Sequence, residues 1–179
     1  APETLETLTW EGARTLCARQ EGMDQFRPDG YYGRDPRSDE VTVFNESRAR
    51  RPHDNTPRES GSRTESCVIC EGRTTQIIDQ AALSDGFTFI NENLLPVFHP
   101  APPQTQGLPR IGTDNDLMGR SVGLHFVQWT SSRHDVDWPE LDDYDRRVVL
   151  DRLAALEQRL LSLPGFPARQ RYISTIKNS

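Results

Sequence analysis

Two cysteines spaced as Cys67-x-x-Cys70, in the run CVICEGRTTQ, constrain this chain more than any other feature. A Cys-x-x-Cys turn presents two thiolates to one ion. The usual occupant is a soft metal that prefers tetrahedral surroundings, zinc first and iron as the alternative. Two sulfurs do not close such a shell, so the chain must supply more ligands elsewhere. The best-placed candidate is His134, in FVQWTSSRHDVDWPEL, where an apolar strand runs into a turn and a helix start. The expectation is a metal that ties the start of the 67–98 stretch to the end of a second strand, fixing a platform that holds a nucleotide. The competing reading is a pair of structural thiols near a surface histidine. A thioredoxin-like redox pair would need a βαβ setting, and the surrounding pattern lacks one.

The remaining cysteine, Cys17, makes the count odd, which does not fit a secreted disulfide framework. A reducing compartment fits better, and the cytoplasm is the expectation. No run approaches the roughly eighteen apolar residues of a membrane span, so no membrane partner is expected. Hydrophobic residues make up 34% of the 179, beside 13 prolines and 12 glycines, which implies a modest core and long loops. A net charge of −6 argues against a nucleic-acid partner, which would want a basic face.

Residues 1–33 read as an N-terminal arm. It suits either a short helix around Trp10–Arg19, with Trp10, Ala13, Leu16 and Cys17 at helical spacing, or a surface segment draped over another part of the molecule. Residues 34–179 read as the domain proper. Asp35-Pro36 signals a turn and Val41–Phe44 a short β-branched strand. The basic cluster Arg48, Arg50, Arg51 follows, then a solvated loop over 53–66. Residues 75–82 suit a strand or a short helix. Phe87–Ile90 is a strand, and residues 99–118 are a Pro- and Gly-rich loop. Ser121–Thr130 alternates strongly enough to be a strand throughout. Asp137-x-x-Glu140 has the form of a capping box with Pro139 in its first turn. From Asp145 to Leu163 an amphipathic helix places Val149, Leu153, Leu156 and Leu160 on one stripe, and Arg171–Ile176 reads as a last strand. The order predicts an α+β fold, an antiparallel sheet with helices packed on one face.

Several of these pieces occur together in one family. Asp35-Pro-Arg-Ser-Asp-Glu-Val-Thr-Val-Phe followed by Arg48-Ala-Arg-Arg51-Pro52 resembles the opening of galactose-1-phosphate uridylyltransferases, where a DPLTGEWV-type turn and strand lead into RAKRP. Cys67-x-x-Cys70 is similar to that family's metal knuckle. Phe89-Ile-Asn-Glu-Asn93-Leu-Leu-Pro96 is similar to its FxNDFPAL segment. Ser132-Arg-His134-Asp135 before Pro-Glu-Leu resembles its SPxHD–LPEL segment, and Lys177-Asn178 the start of its ENKG turn.

The resemblance implies a histidine-triad-like half-domain with long loops and a nucleotidyltransferase of nucleotide-sugar (galactose) metabolism. Such enzymes pass a nucleoside monophosphate between a nucleotide sugar and a sugar phosphate through a nucleotidyl-histidine. It implies metal ligation by Cys67, Cys70 and His134, and phosphate or nucleoside contacts from Arg48, Arg51, Asn93 and Asn178. It also implies a homodimer, or association with a further C-terminal segment. Guanidinium forks suit phosphate oxygens bidentately, and an Asn amide can meet a base or ribose edge without adding charge. None of His53, His99, His125 and His134 lies in the family's His-x-His pair, so the nucleophile and a fourth ligand are expected from sequence beyond Ser179. No catalytic residue is therefore assigned within the chain. The alternative is a non-catalytic, metal-stabilised nucleotide-binding or scaffolding module. His125, alternating along a strand, reads as packed or exposed and is given no role.

Overall fold

The Asp35 carboxylate accepts the Arg37 backbone N–H at 2.8 Å, and Asp39 takes a left-handed φ of 64°. Asp tolerates that conformation because its short polar side chain bonds locally. The resulting hairpin joins β1 (Tyr31–Arg34) to β2 (Val41–Phe44) in antiparallel register, with Tyr31 opposite Phe44 and Arg34 opposite Val41. In the computed structural model, which describes residues 4–18, 30–46, 67, 69–94, 96–100, 117–134, 136–166 and 173–176, this hairpin belongs to one of two sheets.

Sequence order supplies the remaining elements. They are α1 (Trp10–Ala18), β3 (Ile77–Ala82), β4 (Phe87–Glu92), β5 (Met118–Arg120), β6 (Phe126–Trp129), a single 3-10 turn at Trp138–Glu140, and α2 (Asp143–Ser162). The sheets have orders β2-β1-β5 and β3-β4-β6, three strands each. The class is α+β with antiparallel sheets, as the order of elements suggested, divided between two small sheets.

The chain forms two units. One contains residues 1–13, 66–91 and 127–179, the other residues 14–65 and 92–126. In the first, β4 is the central strand, and Thr88, Phe89 and Ile90 are almost wholly buried. Helix α2 packs on β3 and buries Val149, Leu156 and Leu160, while Leu153 on the same stripe is only half-buried. Its start is set by Asp142, whose side chain accepts the Asp145 N–H at 2.7 Å, and Asp145 in turn accepts the Ser84 N–H at 2.7 Å. The acidic cluster at 142–145 is thus a cap and a tie to the β3–β4 turn. The capping box at Asp137 and Glu140 forms as the spacing predicts.

The segment before α1 is held by the same layer. Leu5 and Leu8 are buried, the Leu5 N–H donates to Ile78 O at 2.7 Å, and the Arg159 guanidinium donates to Leu8 O at 2.7 and 3.1 Å. Between β3 and α2, Arg152 grips Asp79 with a two-pronged bond of 2.7 and 2.6 Å.

Two strand expectations fail. Ser121–Thr130 is not one strand; only Phe126–Trp129 is, because the preceding residues bond to other segments. The Ser121 N–H donates to Gly30 O and the Gly123 N–H to His99 O, so the ladder breaks before β6 begins. Of Arg171–Ile176, residues 173–176 are described and form no strand. β-Branched residues favour a strand only where a neighbour completes the ladder, and among the described residues these four pair with none. The undecided 75–82 stretch forms strand β3 from Ile77.

Candidate metal centre

The Cys67–Cys70 turn is closed by backbone bonds, from the Glu71 N–H to Cys67 O at 3.0 Å and from the Gly72 N–H to Ile69 O at 2.9 Å. Gly72 sits at φ +64°, a left-handed position that suits glycine and lets the chain leave the turn. Immediately downstream, the chain is pinned to the first unit's sheet. The Asn91 amide donates to the hydroxyls of Thr74 and Thr75, and its oxygen accepts Trp129 Nε1–H at 3.1 Å. Asn91 is buried and thereby ties the exit of the turn to β4 and β6 at once.

His134 arrives from the other side of β4. Two residues earlier, Ser132 is buried, its N–H donates to Phe87 O at 2.8 Å, and its hydroxyl accepts the Phe87 N–H at 3.0 Å. Gly86, at φ +87°, is needed here for a second reason: a Cβ at that position would collide with Ser132 Oγ. The strand end therefore delivers His134 to the cysteine turn in a fixed place.

The outcome is a three-residue cluster. The sulfurs of Cys67 and Cys70 and a ring nitrogen of His134 all lie within 4.8 Å of one another. Cys70 Sγ is 3.5 Å from His134 Nδ1. Zinc–sulfur and zinc–nitrogen bonds of about 2.3 and 2.0–2.1 Å at the tetrahedral angle give an S···N edge of about 3.6 Å, so the observed spacing fits a shared ion. Of the two ring nitrogens, Nδ1 is the one facing Cys70. The cysteines are half-buried and His134 is exposed. Among the described residues the cluster comprises these three.

The electrostatics favour a thiolate. The Cys70 backbone N–H, then the Cys70 and His134 side chains, pull the Cys67 thiol from 9.0 to about 7. Burial, then the neighbouring Cys67, pushes Cys70 upward. The two opposite shifts describe one shared negative charge, held mainly on Cys67 by N–H donors of the turn. A cation placed there would favour the second thiolate. Cys17 is different: burial pushes it to about 12, so it remains a neutral core thiol.

Neither a family model, nor a curated protein, nor a solved structure matches this chain. The site therefore rests on its own geometry. Asn93, expected to contact a nucleotide, follows β4 and belongs to the second unit, where its N–H donates to His125 O at 2.9 Å and its amide meets the His125 ring. Arg48, Arg51 and Asn178, the other expected nucleotide contacts, lie outside the described residues, as does Asp135. Sequence reasoning missed His125 and Asn91. Nothing in the sequence marks either, because their roles come from partners tens of residues away. No helix among the described residues is long and apolar enough to cross a membrane.

Proposed function

We propose that this chain is the metal-stapled, nucleotide-holding part of a nucleotidyltransferase that moves a nucleoside monophosphate between a nucleotide sugar and a sugar phosphate. The observation that carries the reading is the convergence of Cys67, Cys70 and His134, from two segments over sixty residues apart, within 4.8 Å of one another and with Cys70 Sγ 3.5 Å from His134 Nδ1. The order of short motifs from Asp35 to Asn178 adds the reaction class. Zinc supplies a structural clamp here: it neutralises two thiolates and locks the turn to the strand end before His134.

The chain's own residues bind and orient. Arg48 and Arg51 meet phosphoryl oxygens with paired N–H donors, and Asn93 and Asn178 fix the nucleoside or phosphate through neutral amides. Transfer of a phosphoryl-type group depends mostly on positioning and on stabilising charge at the oxygens, which suits such a set. The reading requires an attacking imidazole from a His-x-His pair, which these 179 residues do not contain and which would have to be supplied to the site.

Incubating the zinc-loaded whole protein with a uridine diphosphate hexose tests this. A covalent uridylyl adduct should appear by intact mass, and hexose 1-phosphate should discharge it. Nucleotide binding with neither adduct nor exchange would leave a non-catalytic binding module. Loss of zinc without any effect on nucleotide binding would separate the two halves of the reading.

A further inference from the structure

The chain holds three cysteines, and two of them share one turn. The sulfurs of Cys67 and Cys70 lie within 4.8 Å of each other, and both residues are half-buried, so small reagents reach them. A disulfide needs its sulfurs at about 2.05 Å, an approach that side-chain rotation on one turn supplies. Closing a loop this short costs little chain entropy. Cys17 is buried and offers no competing partner. His134 has no sulfur and takes no part in such a bond. One oxidation product therefore stands out, the Cys67–Cys70 disulfide, and it consumes two of the three ligands that the described residues bring together.

We infer that the cysteine turn is a thiol–disulfide switch on its own metal site, operated by low-molecular-weight disulfides. This rests on the metal reading of the cluster given above. The sulfur of one cysteine attacks the external disulfide, forms a mixed disulfide and expels a first thiolate. The sulfur of the other attacks the mixed disulfide, closes the internal S–S bond and expels a second thiolate. Two electrons pass from the cysteine sulfurs to the external disulfide, and zinc leaves unreduced, as the divalent ion. Only thiolate sulfur is a good zinc ligand, so the cluster comes down to the His134 imidazole and the ion is lost.

The fold survives the switch, because the neighbouring ties use neither sulfur nor the imidazole. The turn is closed by backbone bonds from the Glu71 and Gly72 N–H groups. Its exit is held by Asn91 on Thr74 and Thr75, and the strand end by Ser132 on Phe87. Oxidation thus opens the metal clamp and leaves the two segments it joined in place.

Glutathione disulfide added to the zinc-loaded whole protein tests this. One zinc per chain should be released, in step with the loss of two hydrogens by intact mass, and dithiothreitol with zinc should restore the starting state. The Trp129 indole N–H, held by Asn91, should stay protected from solvent exchange throughout. Each zinc released accompanies two electrons, so a tenfold rise in free zinc should raise the midpoint potential of the pair by about 30 mV. His134→Ala keeps both sulfurs and should form the same disulfide. That zinc dependence should be gone in it at zinc levels that saturate only the unmodified protein.

A midpoint indifferent to zinc, a glutathionyl adduct in place of the internal bond, or loss of the Trp129 protection overturns the inference while the metal reading stands. A reduced protein that binds no zinc removes the metal reading and this proposal together. The zinc dependence of the unmodified protein decides the matter even if His134→Ala fails to fold.

Discussion

Zinc added to the metal-free protein should stabilise it strongly, and His134→Ala should remove nearly all of that gain. Cys67 and Cys70 sit on one turn and can take an ion in the unfolded chain as readily as in the folded one. His134 lies 64 residues from Cys70, and recruiting it in an unfolded chain means closing that loop. Closing a loop of that length costs on the order of 4 kcal/mol of chain entropy, a cost the fold has already met. Saturating zinc should therefore favour the folded state by about 4 kcal/mol over the metal-free protein. At roughly 2–4 °C per kcal/mol for a domain of this size, the melting temperature should rise by roughly 8–16 °C. Differential scanning calorimetry over a zinc titration reads this directly. His134→Ala should retain weak zinc binding at the cysteine turn while losing the thermal gain. If the His134→Ala variant gains as much as the unmodified protein, the clamp does not exist.

Asp79→Ala should destabilise the protein by about 3 kcal/mol in urea unfolding, because it leaves the largely covered Arg152 guanidinium without its two-pronged partner; adding Arg152→Met should recover part of the loss. An Ellman's titration of the native, metal-free protein should count two reactive thiols of three, with Cys17 silent and zinc protecting the other two. Cys17 holds its proton more tightly when folded, so its contribution is full below about 9 and is lost as pH rises toward about 12; Cys17→Ala should flatten the alkaline limb of the stability profile. Gly86→Ala should cost roughly 1–3 kcal/mol by unfolding and weaken zinc binding as well, since the new methyl displaces Ser132 and with it the approach of His134.

The Cys67–Cys70–His134 cluster was the most legible part of the chain because its chemistry is written in residue types. A Cys-x-x-Cys turn is local, and a histidine following a strand is a conspicuous third ligand. The capping box, the long helix and the strands at Val41–Phe44 and Phe87–Ile90 were legible for the same reason: caps and periodicities act within a few residues. The expected strand at Ser121–Thr130 shows the limit. Its alternation is uninterrupted, yet its first half bonds to Gly30 and His99, segments that no local pattern links to it.

Sequence by itself thus determined which groups could bind a cation, where α2 starts and stops, and the α+β class. Tertiary structure alone decided that His134 Nδ1 is the nitrogen facing Cys70, that Asn91 anchors the exit of the cysteine turn, and that His125 meets Asn93. The division follows from range. Turns, caps and helix faces are set by neighbours along the chain, whereas a buried amide or an imidazole tautomer is set by whichever distant strand supplies the opposing donor or acceptor.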